Sequence, residues 1–355
     1  MNRTVGPSAL ATSWRRRAYA GAIFWLLFAT TGCGGGAGRD TAAGADDEIA
    51  LVVGEGIPES ASAILERSLS EEIRFAHAEP LFRVQRIPVS EIERAKSRKT
   101  VVLLALLTVP GKGALVARDI LGDEQISNAS SHHGAIAALS DVWRSEQSVV
   151  VLAASDAEGI LSLVEERVQR IQDVVLGAAK GRAGDRLYQS GEDAEAARRL
   201  MSDVGWSVRV PAKGWTLDSS RAAEQMLQLA ARSPERAVSV HWVSSDSMTL
   251  DADGALSLCD AFGARFTNGS VVDRERSAVS ETTLDGIRAL CVSGAWRNPR
   301  DSSAGGLRSL VFVVPAQARV YLIDCRAAAS AGDEKVAMWQ LEALANTFRV
   351  APPPR

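Results

Sequence analysis

Three sets of residues in this 355-residue chain have side chains that could do chemistry. The first is its four cysteines, Cys33, Cys259, Cys291 and Cys325, since a thiol can carry a thioether-linked lipid, pair as a disulfide or bind a metal. The second is His132-His133, two potential metal ligands. Adjacent side chains point apart in most backbones, and no Cys or carboxylate with ligand spacing stands beside them, so a solvated loop pair is expected. The third is Asp251-x-Asp253-Gly254. A calcium loop of the EF-hand type needs a third oxygen ligand before the glycine and a glutamate further on, so Asp251 or Asp253 is expected to cap a helix instead. His77 is expected at a helix end and His241 within an apolar strand, neither with a nucleophile at diagnostic spacing. There is no Gly-x-Ser-x-Gly elbow, no His-Glu-x-x-His and no phosphate-binding glycine loop, and nothing points to a cofactor or a bound metal.

Cys33 is set apart by what precedes it. Arg15, Arg16 and Arg17 are followed by an apolar run from Ala18 to Thr31, and Gly32 stands directly before the thiol. A cationic start, a short apolar stretch and small residues at the cut make a signal peptide, and a spanning helix would need about 20 apolar residues. The segment resembles the bacterial lipobox, although Thr30 stands where that pattern favours Leu; ordinary cleavage near Cys33 is the competing reading. The resemblance implies a lipidated Cys33, with Gly34 rather than Asp after it leaning towards the outer membrane of the cell envelope. At about 0.8 kcal/mol per buried methylene, two or three acyl chains would hold the protein on a membrane almost irreversibly.

The expected organisation is a signal peptide over residues 1–32, a glycine-rich flexible tether over 33–47, an α/β domain over 48–202, an α+β domain over 203–350 and a frayed proline tail over 351–355. The segment before Cys33 holds four arginines and no acid. Taking these from 40 basic residues leaves 36 against 43 acidic ones, a net charge of −7. Such a body has no basic face for phosphates, which argues against nucleic acid as a partner.

The elements follow from periodicity. In the first part Ile49–Val53, Leu81–Ile87, Val101–Leu107 and Val149–Ala154 read as strands, the last two as continuous apolar runs covered on both faces. Helices are expected after Pro58, over Ser90–Lys96, from Ser155 with a capping-box Glu158, and over Gly191–Val204; residues 110–134 read as a long loop. In the second part Trp206–Val210, Met226–Ala231, Val238–Val243, Gly286–Trp296, Leu307–Val314 and Arg319–Cys325 read as strands, with helices over Asp253–Phe266 and Asp333–Phe348. The fold class is therefore mixed α+β and α/β in two layers: a partly parallel sheet in the N-terminal half and a mostly antiparallel, helix-covered sheet in the C-terminal half. Cys259, on the inward face of its helix, could meet either strand cysteine. A Cys259–Cys291 disulfide is the preferred pairing, although spacing alone does not fix the connectivity. Trp143, Trp206, Trp215, Trp242, Trp296 and Trp339 are expected in the core or at strand ends rather than as a sugar-stacking platform.

From Trp206 onward the order of elements resembles PsbP and Mog1 type domains. The segments Glu79-Pro80-Leu81-Phe82-Arg83-Val84, Asp141-Val142-Trp143 with Gln147, and Gln340-Leu341-Glu342-Ala343 resemble an exported lipoprotein family known as domain of unknown function 4837. This chain has Ser303-Ala304-Gly305-Gly306-Leu307 near the place where that family carries a Met-Gly-Gly-Pro-Phe segment. The resemblance implies an envelope lipoprotein and names no catalytic residue. Two functions are then in view. One is a noncatalytic module that binds an envelope protein or glycan. The other is an envelope enzyme, with a hydrolase as the candidate class, marked by a cleft in which two carboxylates, or a His and a Ser, converge.

Overall fold

The computed structural model describes residues 39–131, 134–244, 250–328 and 334–351. Cys33, the signal peptide, His132-His133 and residues 352–355 of the tail lie outside the described residues. The first part runs β1 (Glu48–Val53), α1 (Glu59–Leu69), the small hairpin β2 (Glu72–Arg74) and β3 (Ala78–Pro80), β4 (Arg83–Pro88), α2 (Ile92–Ala95), β5 (Thr100–Leu106), α3 (Lys112–Ile120), α4 (Asp123–Ser131), β6 (Ala135–Ser140), β7 (Ser148–Ala154) and the 31-residue α5 (Ala157–Leu187). Five strands form one sheet in the order β4-β1-β5-β7-β6, parallel except for β6. Every residue of β5 is buried, as its run Thr-Val-Val-Leu-Leu-Ala-Leu requires of a strand with helices on both faces.

Two expectations fail here for local reasons. Residues 110–134 are not a loop: α3 and α4 occupy most of it, each too polar for its sequence to show more than Ala114, Ala117 and Ala129 as a buried stripe. The cap of α5 is Asp156, which accepts from Gly159 N at 2.8 Å, while Ser155 turns its hydroxyl to the carbonyls of Ala129 and Ser130.

The second part continues with α6 (Ala194–Val204), β8 (Trp206–Ser207), β9 (Thr216–Asp218), β10 (Met226–Arg232), β11 (Glu235–Ser244), α7 (Ala252–Phe266), β12 (Val271–Leu284), β13 (Ile287–Arg297), β14 (Ala304–Val314), β15 (Arg319–Ala328), α8 (Glu334–Ala345) and β16 (Arg349–Val350). Seven of these strands make an antiparallel sheet in the order β12-β13-β14-β15-β11-β10-β9. The fold class expected from the sequence is thus the one observed. The 14-residue edge strand β12 was not legible, because its exposed polar middle from Arg274 to Glu281 hides the alternation. Asp251 caps α7 by accepting from Gly254 N at 2.7 Å, as expected of an aspartate at that position.

Residues 39–355 form one compact unit, and α5 and α8 pack between the two sheets. Helix α8 serves both cores: Met338, Leu341 and Leu344 face the seven-stranded sheet, and Trp339 joins the core of the five-stranded sheet, 5.9 Å from the ring of Phe82. Buried charges pin the same seam. Asp47 receives the fork of Arg83 at 3.1 and 2.8 Å, and Lys335, only 1% exposed, reaches Asp47 at 3.1 Å and Pro80 O at 2.7 Å. Asp46 is equally buried, among Lys99, Arg182 and Arg186. Residues 39–47, expected to belong to the tether, are instead held: Thr41 bridges to Ser145, Ala43 bridges to Arg98, and Ala42 is buried.

Candidate functional site

The two faces of the seven-stranded sheet are covered unequally. On one face α6 and α8 lie over Leu227, Val240, Leu310, Phe312, Ile323 and their neighbours. On the other, α7 buries Met226, Val292, Leu307, Val311 and Leu322 under Cys259 and Phe262, then ends at Phe266. Beyond that end the sheet is bare of helix, and a cleft of about 1070 Å³ opens there. Its floor is the alternate residues of the strands that continue past α7: Gln228 and Ala230 of β10, Ala237 and Ser239 of β11, Arg326 and Ala328 of β15, and Trp296 of β13. The loops 267–270 and 298–303, the β10–β11 turn and His77 make its walls.

Two glycines allow this construction. A Cβ on Gly263, in the last turn of α7, would lie 2.0 Å from Ser270 O, so the 267–270 wall reaches the helix only over a glycine. A Cβ on Gly305 would lie 1.9 Å from Ala327 O and 2.8 Å from Trp296 Nε1; with no side chain there, the indole donates to Ala327 O at 3.3 Å and its ring stands half-buried at the floor.

The polar centre of the floor is Arg326, whose side chain is 9% exposed. Its Nε donates to Asp324 Oδ2 at 2.6 Å, and the other oxygen of Asp324 accepts from Ser309 at 2.7 Å. Its Nη1 donates to Thr267 Oγ1 at 3.0 Å and to Ser270 Oγ, the two hydroxyls that close the wall. Nη2 is buried and has no acceptor. A second arginine, Arg236, stands in register with Ala327 and so points to the opposite face of the sheet: it donates from Nη1 to Pro234 O at 3.0 Å and lies 5.1 Å above the ring of Trp215, while its Nε is buried without an acceptor. Burial depresses the Arg236 pKa. A buried donor left without a partner costs roughly 1–3 kcal/mol, and more when it is charged. Of the two carboxylates lining the cleft, Asp301 is already engaged by Ser303 at 2.9 and 2.6 Å and by Asn298 at 3.1 Å; the other is Glu235. The cleft therefore offers amides, hydroxyls, one indole face and one buried guanidinium already paired with Asp324, a set suited to holding a polar group.

Of the described residues singled out in the sequence, Trp296, His77, Ser303 and Ala304 line the cleft and the others lie elsewhere. His77 sits in the β2–β3 loop rather than at a helix end, 3.9 Å from Glu334, whose carboxyl pKa is pushed up by burial. His241 is a satisfied core residue, its Nδ1 2.8 Å from Gln225 O and its ring 5.1 Å from that of Phe266. The expected Cys259–Cys291 pairing is not present. Cys259 lies under α7 on one face of the sheet and Cys291 points to the α8 face, so the sheet itself separates them; with Cys325 they are three free, buried thiols. Burial pushes the Cys259 thiol up to about 12, the opposite of a reactive thiol. Among the described residues no group of three or more His, Cys, Asp and Glu could hold a metal, and no helix is long and apolar enough to cross a membrane. Trp206, Trp242 and Trp339 are core residues as expected, and Trp143 and Trp215 are half-buried. Sequence reasoning missed Arg326 and Asp324. Their signal was present: two charges at i and i+2 inside the apolar run from Val320 to Ala328 place both on one face of a buried strand.

No family model and no curated protein matches the chain, so the likeness to domain of unknown function 4837 finds no support. Among solved structures it is similar to a point mutant of the protein Mog1 and to the Saccharomyces cerevisiae Ran-binding protein Mog1p, each at 12% identity and over 41% of this chain, covering 91% and 90% of those chains. It is also similar to LpqN of Mycobacterium tuberculosis, a protein involved in cell envelope biogenesis, at 16% identity over 45% of this chain and 98% of that one. The TM-score is 0.29 in all three cases. The Mog1 likeness read from the order of elements is thus found, at a level that carries no argument about activity.

Proposed function

We propose that this chain is a noncatalytic envelope lipoprotein, anchored through a lipidated Cys33, whose folded body binds an envelope glycan or protein in the cleft beside α7. The observation that carries the binding half is the uncovered cleft beyond α7, floored by Arg326, a buried guanidinium with one N–H that no protein atom accepts. Support for the anchoring half is the arginine-led apolar run ending at Gly32-Cys33. An acyl anchor would place the cleft at the membrane surface, where a partner fixed in the envelope is met without diffusion through bulk solvent.

Each half has its own test. Mass spectrometry of the mature protein is expected to find a terminus at Cys33 carrying acyl chains, and Cys33→Ala is expected to move the protein from the detergent to the aqueous phase on phase separation; an unmodified terminus, or an unchanged distribution, removes the anchor. Mild cross-linking of intact cells followed by capture is expected to return a reproducible partner set that the paired substitution Asp324→Asn with Arg326→Gln depletes. A partner set indifferent to that substitution would take the cleft out of the proposal.

A further inference from the structure

Resting on the anchoring half of that reading, we propose that the end of the five-stranded sheet where β1, β5 and β7 begin lies on the headgroups of the bilayer, with Arg39 and the 141–147 turn against them. Chain length sets the geometry. Only Gly34-Gly35-Gly36-Ala37-Gly38 stands between Cys33 and Arg39, a link that reaches at most about 22 Å when fully extended. From residue 39 the chain has no slack to add, because Thr41 bridges to Ser145, Ala43 bridges to Arg98, and Asp46 is buried among Lys99, Arg182 and Arg186. A compact body running from residue 39 to 355 has a radius of gyration of about 20 Å. So short a link cannot bring the far side of that body to the lipid, and only the surface around residue 39 is within reach. β1 begins at Glu48, directly after the held segment, and β5 and β7 run parallel to it, so the strands lead away from the bilayer towards α3. The seven residues of β5 alone put about 20 Å between the two ends. The side chains within reach suit a phosphate layer: Arg39 is exposed, Arg144 is 35% exposed, and the half-buried Trp143 has the Lys96 ammonium 5.6 Å from its ring. Cations on long apolar stems and an indole with one polar edge settle at headgroup level. Two neighbouring acids, Asp40 and Glu48, are paired with Arg144 and Arg98, which lowers their repulsion from anionic lipid.

Spin labelling reads this orientation directly, because Cys259, Cys291 and Cys325 are buried free thiols and the anchor occupies Cys33. The mature acylated protein, carrying a nitroxide through Glu146→Cys in the exposed turn or through Leu115→Cys on α3, where the leucine is 68% exposed, is reconstituted in vesicles of phosphatidylethanolamine and phosphatidylglycerol with a nickel-chelating lipid. The headgroup nickel is expected to relax the label at position 146 severalfold more than the label at position 115. Equal relaxation at the two positions, or stronger relaxation at 115, would overturn the orientation. Inserting about twenty Gly and Ser residues between Gly38 and Arg39 lets the body turn over, and is expected to remove most of the difference. A difference untouched by the insertion would overturn the short link as its cause. Flotation of the vesicles separates this proposal from the anchor it rests on: a chain that stays behind loses both, whereas a chain that floats with equal relaxation at the two positions keeps the anchor and loses the orientation.

Discussion

The two sheets meet the same physical demand in different ways. In the five-stranded sheet both faces are closed, with α1 and α5 on one side and α2, α3 and α4 on the other, and its inner strands β1, β5 and β7 are apolar nearly throughout. Parallel sheets of this kind take ligands in the crevice beyond the carboxyl ends of their strands, where the chain order reverses, here between β1 and β5. That crevice is filled from within. Glu55, just after β1, accepts from the amides of Lys112 and Gly113 at 2.9 Å each, at the first turn of α3, where an anion would otherwise bind. In the seven-stranded sheet one helix, α7, is shorter than the face it covers, and the uncovered remainder is the cleft. A binding surface arises here from incomplete covering rather than from the position that parallel topology favours.

The largest expected effect tests whether the two sheets are one cooperative structure. Phe312, fully buried among Tyr321 and Phe348, should cost about 3–5 kcal/mol when changed to Ala. Tryptophan emission and far-UV circular dichroism should then report a single denaturant transition shifted together, because α5, α8 and the Asp47–Lys335 seam join the cores; two separated transitions would break the comparison into independent domains. The seam itself comes next. Asp47→Ala leaves Lys335 buried with only Glu79, at 3.5 Å, as a charge partner, and a loss of about 3 kcal/mol is expected in equilibrium unfolding. Burial raises the Asp47 pKa, but the Arg83 fork and Lys335 outweigh it and hold the carboxyl below its ordinary value of 3.8. A depressed carboxyl pKa stabilises above the ordinary value, so this contribution should persist at neutral pH and fade only as pH drops below 3.8.

Glu55→Ala should cost about 1 kcal/mol, the scale of a lost helix cap, and should leave partner binding at the cleft of the other sheet unchanged. A loss of binding would show that the two sheets communicate. The smallest effect is expected from Glu334→Gln behind the His77 wall. Burial raises the Glu334 pKa above its ordinary 4.5, so the folded state favours the neutral acid, and stability is lost as pH rises through the raised value. The glutamine variant, still able to accept from Ala76 N, should match the parent in acid and exceed it slightly at neutral pH. A variant weaker than the parent at neutral pH would mean that the His77–Glu334 contact is a net ion pair.

Legibility followed how each element gets its stability. The strands β1, β5 and β7 and the hairpin of β10 and β11 stand in the amino-acid order because burial on one or both faces writes an apolar pattern that needs no partner to be read. Helices α3 and α4 escaped, since a helix packed through a few alanines has too narrow a stripe to show, and β12 escaped because an edge strand wets half its residues.

By itself the amino-acid order determined the mixed class of the fold, the Asp251 cap of α7, the acidic balance of the body and the export-like run ending at Cys33, all of which depend on neighbours along the chain. Tertiary structure alone decided the rest. It put Cys259 and Cys291 on opposite faces of one sheet, drew Asp46 and Asp47 out of an expected tether into a buried seam, and stopped α7 short of the sheet's end. It also gathered Gln228, Trp296 and Arg326 from three strands. Such distances are set by strand register and helix length acting across the whole molecule, and no local stretch of sequence encodes them.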